Sequence, residues 1–391
     1  MSVKTTYQNE FSVEAVVRLA KLYGLLRAKS IIENLKTPGM KYYLRVNTLR
    51  STSEEVVHLL REENVEAYKL NRLSDVIYLL VKGPYILAKL DKFVVAKKEA
   101  AEAVYMGANL YGPGVISAKR VLEGDYVNVV NPHGYVVAEG IAIMDGDEMV
   151  ARRKGLAVKV IRSTYKVPSV RELEVYREGF IYDQCLPSII AGHVLNPKPG
   201  WLVVDMCAAP GGKATHAAQL MEGEGVVIAI DRSENKCRRI IENAQRLGLK
   251  NINVRISDSR YLDLVIEDLR GSVDAIILDP PCSALGIRPT LFYERRENDF
   301  LALSTYQWQF LKVAARLLRK YGVLLYTTCT LTLEENELLI ERAVKELGLK
   351  LKRQNLFYGS RGFLGMGDMV QRFEPDLHDT PGFFIALLEK V

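Results

Sequence analysis

The chain has 391 residues, of which 48% are hydrophobic, and this length favours two or three domains. Its apolar runs are all shorter than the ~18 residues that span a membrane, and polar residues 1–10 lack the layout of a signal peptide. Five widely spaced cysteines argue against a disulfide framework and a CxxC zinc site, so we expect a cytoplasmic protein.

The net charge is +6, and its placement is uneven. Residues 1–167 carry 25 basic and 18 acidic side chains, whereas residues 168–391 carry 28 and 29. This placement favours a basic appendage that binds a polyanion beside a near-neutral body. From charge alone, solvated basic faces explain it equally well.

Residues 1–91 combine helical and strand-like patterns. Apolar residues recur at a helical period over 13–26, and residues 42–49 resemble a strand. Residues 51–53 contain the N-cap of a further helix, and residues 76–81 are typical of another strand. These elements predict a small α+β module.

Residues 92–167 contain short strand-like segments separated by glycine and proline, a spacing typical of a small barrel. Three motifs occur in order: GAxxYxPGV from Gly107, EGDxVxV from Glu123 and VxAxGxA from Val136. In this order they resemble a PUA domain, which is an RNA-binding module. Its basic edge would be formed by Arg152, Arg153, Lys154 and Lys159.

Residues 168–391 alternate near-continuous apolar strands with helical patterns, as in a parallel sheet covered by helices on both faces. Strands are predicted at 202–205, 226–231, 253–257, 275–279, 323–326 and 383–388, and helices at 233–247, 301–318 and 333–347. Polar residues end the first five strands: Asp205, Asp231, Asp258, Asp279 and Cys329. Ligands of such sheets bind beyond the carboxyl ends of the strands.

A glycine loop, DMCAAPGGK, joins the first of these strands to a helical pattern at 214–221. Its glycines remove side-chain bulk before a helix N-terminus with free N–H groups, so a ligand can lie against backbone. Alone, the loop is equally consistent with a ligand site and with a plain strand-to-helix connection. Asp231 lies about 20 residues later, where nucleotide sites place a ribose-hydroxyl acceptor, and Asp258 is a candidate acceptor from adenine.

Two thiols follow neighbouring predicted strands, Cys282 in DPPC and Cys329 in TTCT. Either cysteine alone is more often a small buried hydrophobe. Together, beside Asp279 and the glycine loop, they favour a reactive pair in one pocket.

Six motifs occur in order along the chain: DMCAAPGGKATH, AIDRSENK, DxSRY, DPPCSALG, TTCTLTLEEN and HDTPGFFIA. Together they resemble the RsmB/Sun-type RNA cytosine methyltransferases, and RVNTL at 45–49 is similar to the N-terminal module of that family. The resemblance implies a class I methyltransferase domain, a Rossmann-like doubly wound α/β sheet, at 168–391. An N-terminal α+β module would occupy 1–91 and an inserted PUA-like β-barrel 92–167.

The resemblance also implies the chemistry, in which S-adenosylmethionine provides the methyl group of 5-methylcytosine. Cys329 would add to carbon six of cytosine, so that the ring becomes an enamine able to attack the methyl group. Asp279 would contact ring nitrogen three and the amino group, Lys213 would stabilise the thiolate and orient Asp279, and Cys282 would assist proton removal and product release. The cofactor would contact Cys207, Ala208, Ala209, Pro210, Gly211, Gly212, Lys213, Asp231, Lys236, Asp258 and Asp279.

Ala284 departs from the family pattern PCSG, and Pro280 adds a second proline before Cys282. An extra methyl group at Ala284 would shift the cytosine pocket slightly.

The branch of the family with a PUA domain methylates the last paired cytosine of the tRNA acceptor stem, position 72, and its PUA domain holds the CCA end. We therefore expect a monomer that binds tRNA, with a cytosine flipped out between Asp279 and Cys329, and without metal or membrane. An alternative target is another RNA site, such as rRNA. Two further classes remain open: an amino-group or DNA cytosine methyltransferase, in which Cys329 is dispensable, and a non-catalytic RNA-binding protein.

Overall fold

The computed structural model describes residues 10–391, and residues 1–9, most of the polar N-terminal segment considered above, lie outside it. Three sheets organise the described chain, with four, six and nine strands. Between residues 10 and 391, no helix combines the length and the apolar character that a membrane crossing requires.

The N-terminal module begins with two helices rather than one. Its elements are α1 (Val13–Tyr23), α2 (Leu25–Leu35), β1 (Lys41–Val46), α3 (Ser53–Glu62), β2 (Ala67–Lys69) and β3 (Val76–Leu80). Gly24, with a φ of +80°, divides the single helix predicted over 13–26. The N-cap of α3 is Thr52, whose hydroxyl accepts from the Glu55 N–H while the Glu55 carboxylate accepts from the Thr52 N–H.

The six-stranded sheet surrounds a separate apolar core. Its elements are β4 (Phe93–Ala96), α4 (Lys98–Tyr105), β5 (Leu110–Tyr111), β6 (Val115–Ser117), β7 (Tyr126–Val130), β8 (Val136–Ala142), α5 (Gly146–Arg152) and β9 (Leu156–Ser163). The strand order is β5-β9-β8-β7-β4-β6. Gly140 of the VxAxGxA motif is required by close packing, because a Cβ there would lie 2.4 Å from the Lys159 carbonyl oxygen. The four residues of the predicted basic edge are exposed.

After this domain the chain returns to the N-terminal module through α6 (Glu174–Arg177) and β10 (Ile181–Asp183). Strand β10 pairs antiparallel with β1, which gives the sheet order β10-β1-β3-β2. These residues were predicted to belong to the third region, which starts at 168, whereas β10 lies in the N-terminal sheet beside β1.

The nine-stranded sheet carries the third region. Its elements are α7 (Leu186–Leu195), β11 (Leu202–Asp205), α8 (Gly212–Leu220), β12 (Val226–Asp231), α9 (Glu234–Arg246), β13 (Ile252–Ile256), α10 (Leu262–Val265), β14 (Val273–Leu278), α11 (Glu297–Leu317), β15 (Leu318–Thr328), α12 (Glu337–Glu346), β16 (Leu349–Leu351), β17 (Ser360–Gly362), β18 (Gly367–Phe373), α13 (Pro375–His378) and β19 (Phe383–Lys390). The order is β13-β12-β11-β14-β15-β19-β18-β17, and β16 also pairs with β19. Strands β11 to β15 are parallel and β19 is antiparallel. The predicted doubly wound α/β sheet is confirmed, with its switch point between β11 and β14.

The three parts are joined by apolar contacts. One face of the large sheet packs on α7, α8 and the N-terminal sheet, and the other on α11 and α12. The loop between β14 and α11 places Leu291 and Phe292, each 6% exposed, in the core of the six-stranded domain. The Leu291 N–H donates to the Glu102 carboxylate at 3.0 Å. This loop therefore holds the six-stranded domain against the large sheet.

Candidate active site

The glycine loop follows β11 and is fixed to the end of β12 and to the segment that follows β13. The Ala208 N–H donates to the carbonyl of Ile230 at 2.9 Å, and the Ser259 hydroxyl donates to the carbonyl of Met206 at 2.6 Å. Gly211 has a φ of +110°, which glycine adopts without strain, and α8 begins at the next residue. The loop is thus held at the switch point of the sheet.

A cavity of about 210 Å³ lies beside this loop. Of the predicted cofactor residues, its wall contains Cys207, Ala208, Ala209, Pro210, Gly212, Lys213 and Asp279, whereas Gly211, Asp231, Lys236 and Asp258 lie outside the wall. Asp205 also lines the cavity, and its Oδ2 atom is buried without a hydrogen-bond partner among residues 10–391. Burial raises the pKa of Asp205 to about 7, an effect that Lys213 opposes and Asp279 reinforces.

Asp231 and Asp258 lie near the ends of β12 and β13, as predicted, and each already has partners. Asp231 accepts from the Ser233 N–H at 3.1 Å and lies 3.7 Å from Nζ of Lys236. Asp258 forms a forked ion pair with Arg260, at 3.0 Å from Nε and 2.5 Å from Nη2, and this hydrogen bonding lowers the pKa of Asp258. Their ribose and adenine contacts stay predictions.

Asp279 and Lys213 form an ion pair on the cavity wall. Asp279 accepts from Lys213 Nζ at 2.6 Å and, through its other oxygen, from the Thr327 hydroxyl at 3.0 Å. Burial alone would lower the pKa of Lys213, but the charge and hydrogen bond of Asp279 outweigh it and raise the pKa. This geometry suits an orienting role for Lys213. In the described part of the chain no hydrogen bond joins Lys213 to Cys329, so thiolate stabilisation stays a prediction.

The structure brings the two predicted thiols together at the ends of β14 and β15. The Sγ atoms of Cys282 and Cys329 lie 3.2 Å apart, and both cysteines are free. The hydrogen bond with Cys329, followed by burial, raises the pKa of Cys282 well above its ordinary value. Cys282 is therefore held as a thiol, and its S–H can donate to the sulfur of Cys329.

A groove of about 720 Å³ leads to this site from the meeting point of the three parts. Tyr42 of β1 and Arg288 of the β14–α11 loop line it, and Asp183 and Cys185 line both the groove and the smaller cavity. From the six-stranded domain the lining includes Ala103, Met106, Gly107, Ala108, Asn109 and Tyr111. The groove is thus continuous with the cavity wall that carries Asp279.

Arg45, from the RVNTL motif, was not assigned a role from the sequence, although it contacts the glycine loop directly. It is 1% exposed, and its guanidinium donates to the Gly212 carbonyl at 2.7 Å, to Gln184 Oε1 at 2.6 Å and to the Thr215 hydroxyl at 2.9 Å. A lone arginine within an apolar strand pattern was the available signal. Asp205 was recognised only as a strand-ending residue, and its missing partner is visible only in the fold.

One cluster of described residues, Asp75, His193 and His216, has the composition of a metal site. The Nε2 atoms of His193 and His216 lie 2.9 and 3.1 Å from the Asp75 carboxylate. Burial lowers the pKa of His216 to about 3, so this imidazole is neutral and donates to Asp75. Because the two imidazoles occupy the hydrogen-bonding positions of the Asp75 carboxylate, we interpret the cluster as a structural contact that joins the N-terminal module to helices α7 and α8.

Ala284 lies two residues after Cys282 and adopts a φ of +62° where the family pattern has glycine. Left-handed alanine costs about 1 kcal/mol, so we expect Ala284→Gly to raise the free energy of unfolding by up to ~1 kcal/mol. Chemical denaturation measures this difference. Ala302→Gly, the same change at an exposed position of α11, should instead lower it by about 1 kcal/mol. Equal losses in both variants would contradict strain at Ala284.

The strand order is that of a Rossmann-like methyltransferase, and the thiol pair lies beyond the carboxyl ends of two neighbouring parallel strands, as expected for the RNA cytosine-C5 class. The sequence profile described as 16S rRNA methyltransferase RsmB/F matches residues 192–389, and the PUA domain profile matches residues 92–164. The chain belongs to the RsmB/F family of methyltransferases and contains a PUA domain.

Known proteins are similar over nearly the whole chain. A tRNA (cytosine(72)-C(5))-methyltransferase from Pyrococcus horikoshii is 43% identical over 389 residues, which is 98% of each chain. The human tRNA (cytosine(72)-C(5))-methyltransferase NSUN6 is 31% identical, covering 94% of this chain and 87% of its own. The crystal structure of NSun6 from Pyrococcus horikoshii with SFG superposes with a TM-score of 0.90, 43% identity, and coverage of 98% of this chain and 100% of the other.

Proposed function

We propose that this protein transfers a methyl group from S-adenosylmethionine to carbon five of cytosine 72 in the tRNA acceptor stem. The observation that carries the chemistry is the pair of thiols, Cys282 and Cys329, 3.2 Å apart at neighbouring strand ends. The two relatives named above support the target, because both are tRNA (cytosine(72)-C(5))-methyltransferases that align with almost all of the chain. Free cysteines support a reducing, cytoplasmic setting, and we propose a monomer.

The cavity beside the glycine loop suits the methionine part of S-adenosylmethionine. Asp205 offers it a buried carboxylate oxygen that lacks a partner within the described chain, which suits the cationic methionine part of this cofactor. Small residues from Ala208 to Gly212 allow the ligand to lie against backbone, and we propose that Asp231 and Asp258, near the ends of β12 and β13, contact the ribose and the adenine. The bound SFG of the solved relative is an analogue of this cofactor. When bound, S-adenosylmethionine supplies an electrophilic methyl group.

The residues of this chain supply the remaining chemistry. The sulfur of Cys329 bonds to carbon six of the flipped cytosine, and carbon five then becomes nucleophilic enough to take the methyl group. Asp279, held by Lys213, accepts from the amino group of the cytosine, and a proton from solvent shared between Asp279 and ring nitrogen three neutralises the negative charge that develops there. Cys282, once it has given its own proton to solvent, accepts the carbon-five proton as the bond between the Cys329 sulfur and carbon six breaks, which releases 5-methylcytosine.

The groove between the three parts provides a path for the RNA 3′ end. The groove is lined by residues of the PUA domain and by Tyr42 and Arg288, so it presents polar, aromatic and basic groups. The groove ends at Asp183 and Cys185, beside the proposed site of methyl transfer. The PUA domain would hold the CCA end while the target cytosine enters between Asp279 and Cys329. Because Lys and Arg are in excess in the N-terminal half, we propose that tRNA affinity falls steeply as salt rises.

The test is transfer of a tritiated methyl group from S-adenosylmethionine to a tRNA transcript, intact or lacking CCA, by the wild type and by Cys329→Ala. Label on intact tRNA alone, lost in the variant, would support both the target and the mechanism. Label that ignores CCA would keep the chemistry and place the target elsewhere in RNA, such as rRNA. No label on any RNA would favour the non-catalytic class.

Cofactor affinity should depend on pH through Asp205. Because the pKa of this buried carboxyl is raised to about 7, the free protein holds a proton there at lower pH. A cationic ligand favours the ionised form, so binding must release that proton, and the affinity should fall by up to about tenfold per pH unit below 7 and level off above it. Calorimetry in two buffers at each pH measures both the affinity and the protons released.

The variant Asp205→Asn keeps the shape of the side chain and removes the titrating group. Its affinity should be lower than that of the wild type at high pH and should vary little with pH. A slope in this variant equal to that of the wild type would assign the titration to another group.

A further inference from the structure

We infer that Glu335 is a positioning residue for methyl transfer. It joins the loop of Cys282 to the loop of Cys329, and it thereby keeps Cys282 in place to remove the carbon-five proton and allow product release after the methyl group has been transferred. The inference rests on the proposed function. Glu335 lies between β15 and α12 and is wholly buried. The RNA chemistry assigned above does not involve it directly.

The carboxylate of Glu335 accepts three hydrogen bonds from the two thiol loops and from α11. One oxygen accepts from the Ser283 N–H and from Gln307 Nε2, each at 2.8 Å. The other oxygen accepts from the Thr332 hydroxyl at 2.9 Å. Ser283 directly follows Cys282, so one carboxylate holds the backbone beside one thiol and the segment that follows the other.

Neighbouring contacts complete the same connection. The Gln307 amide that donates to Glu335 also donates to the Pro281 carbonyl at 3.0 Å, and the hydroxyls of Ser283 and Thr330 share a hydrogen bond of 2.7 Å. Both residues that flank Cys282 and the residue after Cys329 are therefore tied together. These contacts connect the two loops whose sulfurs lie 3.2 Å apart.

The charge of Glu335 is the feature that points beyond ordinary packing. Among residues 10–391, no Lys, Arg or His lies within ion-pair distance of this carboxylate, although burying an unpaired charge is costly. A negative group there also adds to the raised pKa of Cys282. Cys282 thus stays protonated while it is hydrogen bonded to Cys329. Once Cys329 has bonded to carbon six, Cys282 can give its own proton to solvent, and the resulting thiolate takes the carbon-five proton.

The test is Glu335→Gln, which keeps the volume and most hydrogen bonds and removes the charge. We expect kcat to fall by about 10- to 100-fold, with KM for tRNA and the Kd for S-adenosylmethionine unchanged. The fraction of enzyme joined covalently to tRNA, read on a denaturing gel, should rise toward the level of Cys282→Ala. The matched control is Glu334→Gln, which removes the same charge one residue earlier, where the side chain pairs with Arg18 at 2.9 Å. This control should keep the wild-type kcat and adduct fraction.

A second variant keeps the inference testable if Glu335→Gln does not fold. Gln307→Met removes one N–H donor to Glu335 and the contact to Pro281, so kcat and the adduct fraction should change in the same direction by a smaller factor. Wild-type kcat and adduct fraction in a folded Glu335→Gln protein would overturn the inference. So would loss of cofactor binding and of the adduct together, since a merely structural role predicts that result. Failure of the proposed function is distinguishable, because the wild type itself would then label no tRNA.

Discussion

Methyl transfer to tRNA is expected to fall by about 10⁴-fold or more when Cys329 is replaced with Ala, the scale observed when a covalent nucleophile is removed. Carbon five of cytosine is too weak a nucleophile without a bond to carbon six. Cys282→Ala should also lose turnover, but by a different route: Cys329 still bonds to the ring, while the group 3.2 Å away that takes the proton is missing. Of the two cysteine variants, only Cys282→Ala should therefore accumulate a covalent enzyme–tRNA complex.

Incorporation of tritium and a denaturing gel distinguish these outcomes in one experiment. An active Cys329→Ala protein would favour the amino-group or DNA-type methyltransferases, in which this thiol is dispensable. A covalent complex formed by Cys329→Ala and absent from Cys282→Ala would exchange the two roles.

Arg372→Met is expected to lower the free energy of unfolding by about 3–5 kcal/mol, the usual cost of removing one partner from a buried ion pair. The side chains of Arg372 and Glu337 are both fully buried and meet through two bonds, of 2.6 and 2.7 Å. Arg372 also donates to the Tyr23 hydroxyl at 2.7 Å and to the Leu331 carbonyl at 3.1 Å. Its loss would leave the Glu337 carboxylate buried and unpaired.

Chemical denaturation of Arg372→Met beside Arg238→Met gives the comparison. Arg238 pairs with Glu234 on the surface of α9, where both side chains are more than half exposed, so the same substitution should cost less than about 1 kcal/mol. Replacing Arg372 and Glu337 together with apolar residues should recover much of the lost stability. Equal effects at the two arginines would contradict the argument from burial.

The large sheet was predictable because its strands are continuous apolar runs bounded by polar residues. β11 and β12 occupy the predicted residues, and β13 and β14 begin or end within two residues of them. Strand β10 was not predictable, because three residues carry no local pattern and its partner β1 lies on the other side of the PUA domain. The break at Gly24 was not predictable either, because helices tolerate a single glycine. Only the φ of +80° in the structure shows that the helix ends there.

The chemistry of the site was predictable where it depends on strand ends. Asp279, Cys282 and Cys329 follow neighbouring strands, so the topology of the sheet brings them together. Partners set by distant segments were not predictable: Arg45 reaches the glycine loop from the N-terminal module, and Glu335 meets the Ser283 N–H through a turn that the sequence does not indicate.

The loop between β14 and α11 carries Cys282 at one end and inserts Leu291 and Phe292 into the PUA domain at the other. If the PUA domain binds the RNA 3′ end, as proposed, this domain and the thiols that act on the base are held at a fixed separation. Under the proposed function, the protein therefore selects its cytosine by the number of nucleotides between that base and the 3′ terminus. A tRNA lengthened by one nucleotide after position 72 would then present the neighbouring residue to the thiols, whatever its surrounding sequence.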